Sequence, residues 1–365
     1  MARIDLINVS KTLKDRARGG SRATFSIRDL NLTVPDGKTM VVLGPSGCGK
    51  TTLLKVIAGL IPPDTGVVRY DHAEVKDVPP GARRIGMVFQ NYALYPHFTV
   101  RTNILSYFLF RKKTPELDAL ARATYQRTSE LMGVELSYLL DRKPTTLSGG
   151  EKQRVALGRC ITRDATVFLV DEPFANLDQA LREKYRVNLK TLLRQFDITT
   201  VYVTHDHHEA LILADLLAVM NHGTIEQAGP PQEIYDAPRN VFVASFLNLH
   251  VGAPPISLLD ARWLPQAQRL GNARVGVRPE DVEIVGTERE GSMSGTVTAH
   301  LNLPLKNASY ISIRVGEDEV HAQIEGREHH AIGDRIWLAF KRYHVFDKTS
   351  GARLGSHSRP GGATQ

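Results

Sequence analysis

A chain of 365 residues is too long for one typical domain and comfortable for two, each able to bury its own core. Hydrophobic content of 42% and charged content of 23% are ordinary for soluble globular protein, and no apolar run approaches the roughly 18–20 residues that a membrane-spanning helix needs, so no such helix is expected. The net charge of +7 arises from 46 basic against 39 acidic residues, a mild excess that reads as solvated surface rather than as a nucleic-acid or anionic-membrane footprint.

The amino terminus, MARIDLINVSK, lacks the apolar core of a secretion signal, and the two cysteines, Cys48 and Cys160, form no disulfide framework. A reducing, cytosolic setting is therefore expected. The basic, Gly-rich KTLKDRARGGSR that follows is expected to be a mobile loop. Further along, TMVVLG, TVFLVDEP and TTVYVTHD read as buried strands, and TTLLKVIAGL, KQRVALGRCITRD and QALREKYRVNLKTLLRQF have helical spacing. The alternation predicts an α/β layer with a mainly parallel sheet, whose ligands lie at the carboxyl ends of its strands. LLAVMNHGTIEQAG is expected to form a hairpin turning at His222 and Gly223, and PPQEIYDAP a helix. Beyond Ala237 short strand-like runs separated by Gly and Pro predict a small antiparallel barrel or sandwich, closed by a frayed tail in SHSRPGGATQ. The expected organisation is an α/β domain over residues 1–236, an all-β domain over 237–355 and a disordered tail over 356–365.

Two glycine-rich devices for holding anions stand about a hundred residues apart. The first, GPSGCGKT, matches G-x-x-x-x-G-K-[ST] between a predicted strand and a predicted helix, the context a P-loop requires. Its candidate ATP contacts are Gly44, Pro45, Ser46, Gly47, Cys48, Gly49, Lys50, Thr51 and Thr52. The glycines let backbone N–H groups crowd the phosphates, Lys50 reaches the β and γ oxygens, and the Thr51 hydroxyl can bind Mg²⁺. Cys48 reads as a bystander to the chemistry, but a helix N-terminus can lower a thiol's pKa, so alkylation is expected to block hydrolysis and nucleotide to protect. The second device, TTLSGGEKQRVALGR, puts Ser148, Gly149 and Gly150 directly ahead of a basic helical run.

At the end of VFLVDEP, Asp171 fits the Mg²⁺ ligand of P-loop ATPases and Glu172 the general base that faces the attacking water. His205 ends VYVTHDHHEA; a lone histidine there is ordinarily a structural hydrogen bonder, but a third strand end on the phosphate edge favours contact with the γ-phosphate. His207 and His208 place no third ligand, so the spacing does not favour a metal site of their own.

These motifs together resemble the ATP-binding subunit of an ABC transporter, in which L-S-G-G-[QE], here Leu147 to Glu151, is the signature motif. The resemblance implies an ABC nucleotide-binding domain of P-loop NTPase fold with ATP and Mg²⁺ as cofactors. It further implies that Ser148, Gly149, Gly150 and Glu151 act on the γ-phosphate of an ATP held by the P-loop of a second nucleotide-binding subunit packed head to tail. A homodimer is favoured and a heterodimer stays open. MVFQNYALYPH resembles the Q-loop, with Gln90 as the Mg²⁺ and water contact and the following residues as a groove for the membrane subunit's coupling helix. ANLDQ resembles the D-loop, in which Asp178 reaches across the dimer and Ala175 stands where serine is usual; His205 matches the switch histidine. The family stacks adenine on an aromatic residue shortly after VSK, where this chain has Leu13, with Phe25 as the alternative because a basic insert intervenes. With Leu13 there, weaker adenine discrimination is implied, base stacking being worth about 1–3 kcal/mol in nucleic-acid binders.

NYALYPHFTV, LLDRKPTTLSGG and VGAPPISLLD are similar to segments of importer subunits for maltose, trehalose and glycerol phosphate, while GVRPEDVEI and HVFDKTSGARL resemble the carboxyl-terminal OB-type regulatory domain of that branch. The implied function is an ATPase at the cytoplasmic face of the membrane that drives import of a carbohydrate or related solute. Its implied partners are two transmembrane permease subunits and, indirectly, an extracytoplasmic solute-binding protein. Polyamine or iron import is the alternative, and a soluble ABC ATPase acting on nucleic acid a distant one. Against nucleic acid, Trp337 and Phe340 read as part of a buried strand and YISIRVG offers only Tyr310.

Overall fold

Short runs of β-branched and apolar residues fix the frame of the first unit. In the computed structural model β3 (Thr39–Leu43), β7 (Val167–Asp171) and β8 (Thr199–Thr204) are buried along their whole length, as strands covered on both faces must be. With β6 (Ile85–Val88), β9 (Leu216–Asn221) and β10 (Thr224–Gly229) they form a six-stranded sheet of order β10-β9-β3-β8-β7-β6. All neighbours are parallel except the β9–β10 hairpin, which turns at His222 (φ 43°) and Gly223 (φ 85°). The structure describes every residue except 1, 15–23, 110–111, 113, 132–136, 164, 175–181, 183–185, 187–188, 192, 195–197, 249–252, 265–270, 290, 304–307, 326–329 and 359–365.

A second, antiparallel sheet of order β2-β1-β4-β5 is built from β1 (Ile4–Lys14), β2 (Thr24–Val34), β4 (Thr65–Tyr70) and β5 (Ala73–Glu74). Its apolar residues share one core with the parallel sheet and with the Lys50–Ala58 helix, through Ile4, Leu30, Val42, Leu53, Ile57 and Val203 among others. A smaller cluster, in which Val100, Ile104, Leu139, Leu140, Leu147 and Val155 meet, seats the Gly149–Ile161 helix. Of the predicted mobile loop, Lys11–Lys14 belong to β1, and residues 15–22 lie outside the described residues. Much of QALREKYRVNLKTLLRQF also lies outside them; Arg182, Arg186, Leu189–Thr191, Leu193 and Arg194 are described, and all are helical.

The chain divides into two units, Met1–Pro231 and Gln232–Gln365. Within the second, the helices Pro231–Asp236 and Val241–Phe246 precede two all-antiparallel sheets. One has order β11-β12-β18-β19, from β11 (Ser257–Asp260), β12 (Ala273–Val277), β18 (Arg342–Asp347) and β19 (Arg353–Ser358). The other has order β13-β17-β14-β15-β16, from β13 (Val282–Val285), β14 (Met293–Leu303), β15 (Ala308–Val315), β16 (Asp318–Glu325) and β17 (Arg335–Phe340). Val275, Val277 and Val345 from the first sheet and Ile311, Val320 and Leu338 from the second fill a single core. Ser356 to Ser358, expected in the tail, instead extend β19 along β18. His344 Nδ1 lies 2.8 Å from Ser356 Oγ and the Tyr343 and His357 rings stack at 5.1 Å, contacts that hold this polar segment to the sheet.

Candidate nucleotide site

Parallel pairing sets the convergence of the site. In the sheet register Leu43 lies beside Thr204, Val203 beside Asp171 and Val170 beside Val88. The loops that begin at Gly44, Glu172, His205 and Phe89–Gln90 therefore leave from one edge, the carboxyl end where open α/β sheets hold ligands. Lys50 is buried and donates from Nζ to the Gly44 and Pro45 carbonyls at 2.8 and 3.0 Å, and stands 3.7 Å from Glu172 Oε1. Thr51 Oγ1 donates to Asp171 Oδ1 at 3.1 Å, and burial pushes the Asp171 carboxyl above its ordinary range. Glu172 takes a left-handed backbone conformation, φ 40°, held by its N–H donating to Val203 O at 3.1 Å. This aims Glu172 Oε2 at His205 Nδ1, 3.0 Å away. One ammonium, one hydroxyl, two carboxylates and one imidazole thus meet beside a helix N-terminus, a set that can bind phosphate and move a proton.

The P-loop is held from behind by a contact that no motif announces. Gly223 N–H donates to Cys48 O at 3.0 Å, while Gly223 O accepts from Arg28 N–H at 3.0 Å, so the β9–β10 turn bridges the P-loop and β2. A Cβ on Gly223 would lie 1.9 Å from Ser26 O, and its φ of 85° already disfavours any side chain. Gly223→Ala is expected to cost roughly 1–2 kcal/mol for the left-handed conformation and about 1–3 kcal/mol more for overpacking. Thermal unfolding should show a midpoint several degrees lower, and an unchanged midpoint would remove this turn from the support of the loop. Leu13 faces Phe25 across the β1–β2 ladder, one rung from Ser26, which places both adenine-stacking candidates beside this turn.

Cys48 departs from the activated thiol expected of it. The side chain is 6% exposed and belongs to the main apolar core, and burial raises its pKa, outweighing Lys50 and the loop's backbone donors. Its place in the loop is through its backbone. Native Cys48 is accordingly expected to resist iodoacetamide equally with and without MgATP and to react once the chain is unfolded, read by mass spectrometry of the peptide. Rapid native labelling that nucleotide blocks would restore the activated thiol.

The signature stands apart. Ser148 is exposed and caps the Gly149–Ile161 helix in a capping box, its N–H donating to Glu151 Oε2 at 2.7 Å and its Oγ accepting the Glu151 N–H at 3.3 Å. Although burial works the other way, bonds from the Ser148 amide and hydroxyl hold the Glu151 carboxyl below its ordinary range, and Tyr138 (3.1 Å) and Arg142 (3.7 Å) anchor it. Among the described residues no hydrogen bond or ion pair joins Leu147–Glu151 to Gly44–Thr52. Farther along this helix the Arg159 guanidinium donates to the backbone carbonyl oxygens of Ala93 and Tyr92 at 2.7 and 3.2 Å, and both of those residues have positive φ, 45° and 61°. Ala93 and Arg159 border a cleft of about 730 Å³ lined also by Leu60, Met87, Phe89, Tyr95, Tyr107 and Arg163. Gln90 is exposed at the same sheet edge as the P-loop. Ala175 and Asp178 lie outside the described residues.

Comparison with known proteins agrees with this geometry. Residues 27–175 match the family described as ABC transporter. The sn-glycerol-3-phosphate import ATP-binding protein UgpC of Bartonella bacilliformis is 40% identical over 97% of this chain and all of that protein. The trehalose/maltose import ATP-binding protein MalK of Thermococcus litoralis is 39% identical, again over 97% of this chain and all of that protein. The chain belongs to the ABC transporter family. Within it, this ABC ATPase falls among the ATP-binding subunits of the carbohydrate-type importer branch. A solved dimeric bacterial ABC transporter cassette, 30% identical, superposes with a TM-score of 0.54 over 62% of this chain and 98% of that one. The same cassette in a post-hydrolysis state with ADP and Pi gives a TM-score of 0.52. Sequence reasoning about the ABC ATPase missed Gly223 and Arg159, whose contacts pair residues far apart in the chain, and Tyr138 and Arg142, which reach Glu151 from just before the signature; only the predicted His222–Gly223 turn hinted at one of them.

Proposed function

We propose that this ABC ATPase powers import of a carbohydrate or a glycerol-phosphate-like solute from the cytoplasmic face of the membrane. The observation that carries the reading is the separation of two anion-binding devices: a P-loop cluster at the sheet edge, and an exposed, capped helix terminus that, among the described residues, makes no bond to it. A head-to-tail pair of chains, identical in the favoured case, unites them into two composite sites. There the Ser148 hydroxyl turns its proton from the Glu151 carboxylate and donates, with Gly149 and Gly150, to the γ-phosphate of the opposing subunit's ATP. Asp178 crosses the same interface.

In each composite site Lys50 exchanges its carbonyl contacts for β and γ oxygens, Glu172 takes the proton of the attacking water, and His205 holds Glu172 and senses the γ-phosphate. Mg²⁺ fits the oxygen donors present: Thr51 Oγ1 and Asp171 Oδ1 are 3.1 Å apart, and the buried Asp171 carboxyl is the kind of group that a cation ionises. Thr51, Asp171 and Gln90 would hold it, and when bound it neutralises charge on the phosphates. The cleft beside Tyr95 and Arg159 receives a helix of the permease subunit. The second unit, with its five-stranded antiparallel sheet, serves as an OB-type regulatory domain.

Among the described residues no helix is long and apolar enough to cross a membrane, so membrane attachment is assigned to the permease partners. The relatives' names, glycerol phosphate and trehalose/maltose import, support the solute class. Co-purification with two multispanning subunits is expected, followed by hydrolysis that rises when the reconstituted complex, with its solute-binding protein, meets sn-glycerol 3-phosphate, maltose or trehalose. Stimulation by a polyamine or ferric iron alone moves the chain to those importers. Recovery with ribosomes or nucleic acid, and not with membranes, overturns transport.

A further inference from the structure

The backbone on both sides of His205 is gripped by a buried polar cluster that the reaction itself does not use. Arg186 is 7% exposed, Glu209 3% and Tyr202 fully buried. Arg186 Nη2 lies 2.5 Å from Asp206 Oδ2 and 3.8 Å from Glu209 Oε1, and Arg182 Nη1 lies 3.7 Å from the same Asp206 oxygen. Asp206 Oδ1 accepts the Glu209 N–H at 3.1 Å, and the Asp206 N–H donates to Thr204 Oγ1 at 2.9 Å. Glu209 Oε2 accepts from the Thr204 hydroxyl at 2.7 Å and the Tyr202 hydroxyl at 2.9 Å. The residue before His205 and the residue after it are thus fastened to one another and to Arg186. The His205 side chain itself is half exposed and reaches Glu172 Oε2 at 3.0 Å.

Burying an arginine beside two carboxylates is a costly way to stabilise a fold, since well-packed apolar residues often do as well. What the ionic arrangement adds is direction: Nη2 of the planar guanidinium stands between two carboxylates in the chain directly after His205, Asp206 at the cap of the His207–Leu213 helix and Glu209 in its first turn. Arg186 also follows Asp178 by eight residues, so the segment that fixes the loop continues from the D-loop motif.

We propose that Arg186 is a positioning residue for the reaction, which through Asp206 and Glu209 sets the Thr204–Asp206 backbone so that the His205 imidazole meets Glu172. The proposal rests on the assignment of Glu172 and His205 to hydrolysis. It is tested on the full chain with Arg186→Gln and the charge-keeping Arg186→Lys, each alone and in a His205→Gln background, by steady-state release of radiolabelled phosphate. Arg186→Gln is expected to lower kcat roughly 10- to 100-fold, as misplacement of a catalytic group does, with the KM for MgATP unchanged and part of the rate recovered by Arg186→Lys. In the His205→Gln background it should cause no further loss, because the group it positions is gone. Losses that multiply across the two substitutions, or a kcat unchanged by Arg186→Gln, overturn the proposal. Should Arg186→Gln fail to fold, Tyr202→Phe, which removes one donor to Glu209 at nearly constant volume, carries the same pair of outcomes. His205→Gln alone tests the assignment underneath: full turnover in that variant ends the role of His205, whereas lost turnover with independent Arg186 effects ends only the role of Arg186.

Discussion

Glu172→Gln is expected to abolish steady-state hydrolysis while leaving ATP binding intact. General-base catalysis contributes about 10²–10⁴ in rate, which at about 1.4 kcal/mol per decade is roughly 3–5 kcal/mol of barrier. An amide of the same shape keeps the left-handed backbone and its bond to Val203, but cannot accept the proton. Lys50 loses a carboxylate 3.7 Å away and keeps both P-loop carbonyls, so the cradle for phosphate remains and its positive field is less neutralised. Affinity for ATP should therefore stay level or rise. With binding intact and turnover gone, ATP should hold the chains as a closed dimer, seen as a doubled mass by size-exclusion chromatography with light scattering. Near wild-type turnover in this variant would show that the base is another group.

The phosphate chemistry was legible because it is local. A backbone cradle needs Gly44, Gly47 and Gly49 within one turn, a lysine and a hydroxyl directly after them, and acids at the end of an apolar strand, and these needs are written as fixed spacings. The sheet register that brings Asp171 beside Val203, and Leu43 beside Thr204, is not a spacing; the alternation of buried strands with helices predicts only the parallel layer in which it forms. What stayed hidden are the pairings across long stretches of chain. Gly223 supports the Cys48 carbonyl and Arg186 grips Asp206, and no local rule connects either pair. The burial of Cys48 is hidden for the same reason: its place at the head of a helix is visible in sequence, but the apolar neighbours that bury its sulfur come from other strands. At the carboxyl terminus polarity suggested a tail, whereas Ser356 and His357 find partners in His344 and Tyr343 on a neighbouring strand.

The composite site predicts that Ser148→Arg collapses hydrolysis while sparing nucleotide binding at the same chain's P-loop. Among the described residues Ser148 bonds only within its own helix turn, so a long cation there leaves Lys50, Thr51 and Asp171 undisturbed but fills the space in which an opposing γ-phosphate must sit. Loss of the cap alone costs about 0.5–2 kcal/mol of stability, and Ser148→Asp, which restores a capping oxygen yet sets a negative charge against the phosphate, separates that cost from the block. Both variants should lose turnover and keep ATP affinity. Mixing Ser148→Arg chains with Lys50→Ala chains then isolates the geometry, because a mixed dimer joins an intact P-loop to an intact signature at one site and unites both lesions at the other. Activity should partly return if one intact site suffices, and closure without turnover is expected if both are needed. If Ser148→Arg monomers lose ATP affinity as severely as Lys50→Ala monomers do, the signature serves its own chain's nucleotide and the head-to-tail dimer is wrong.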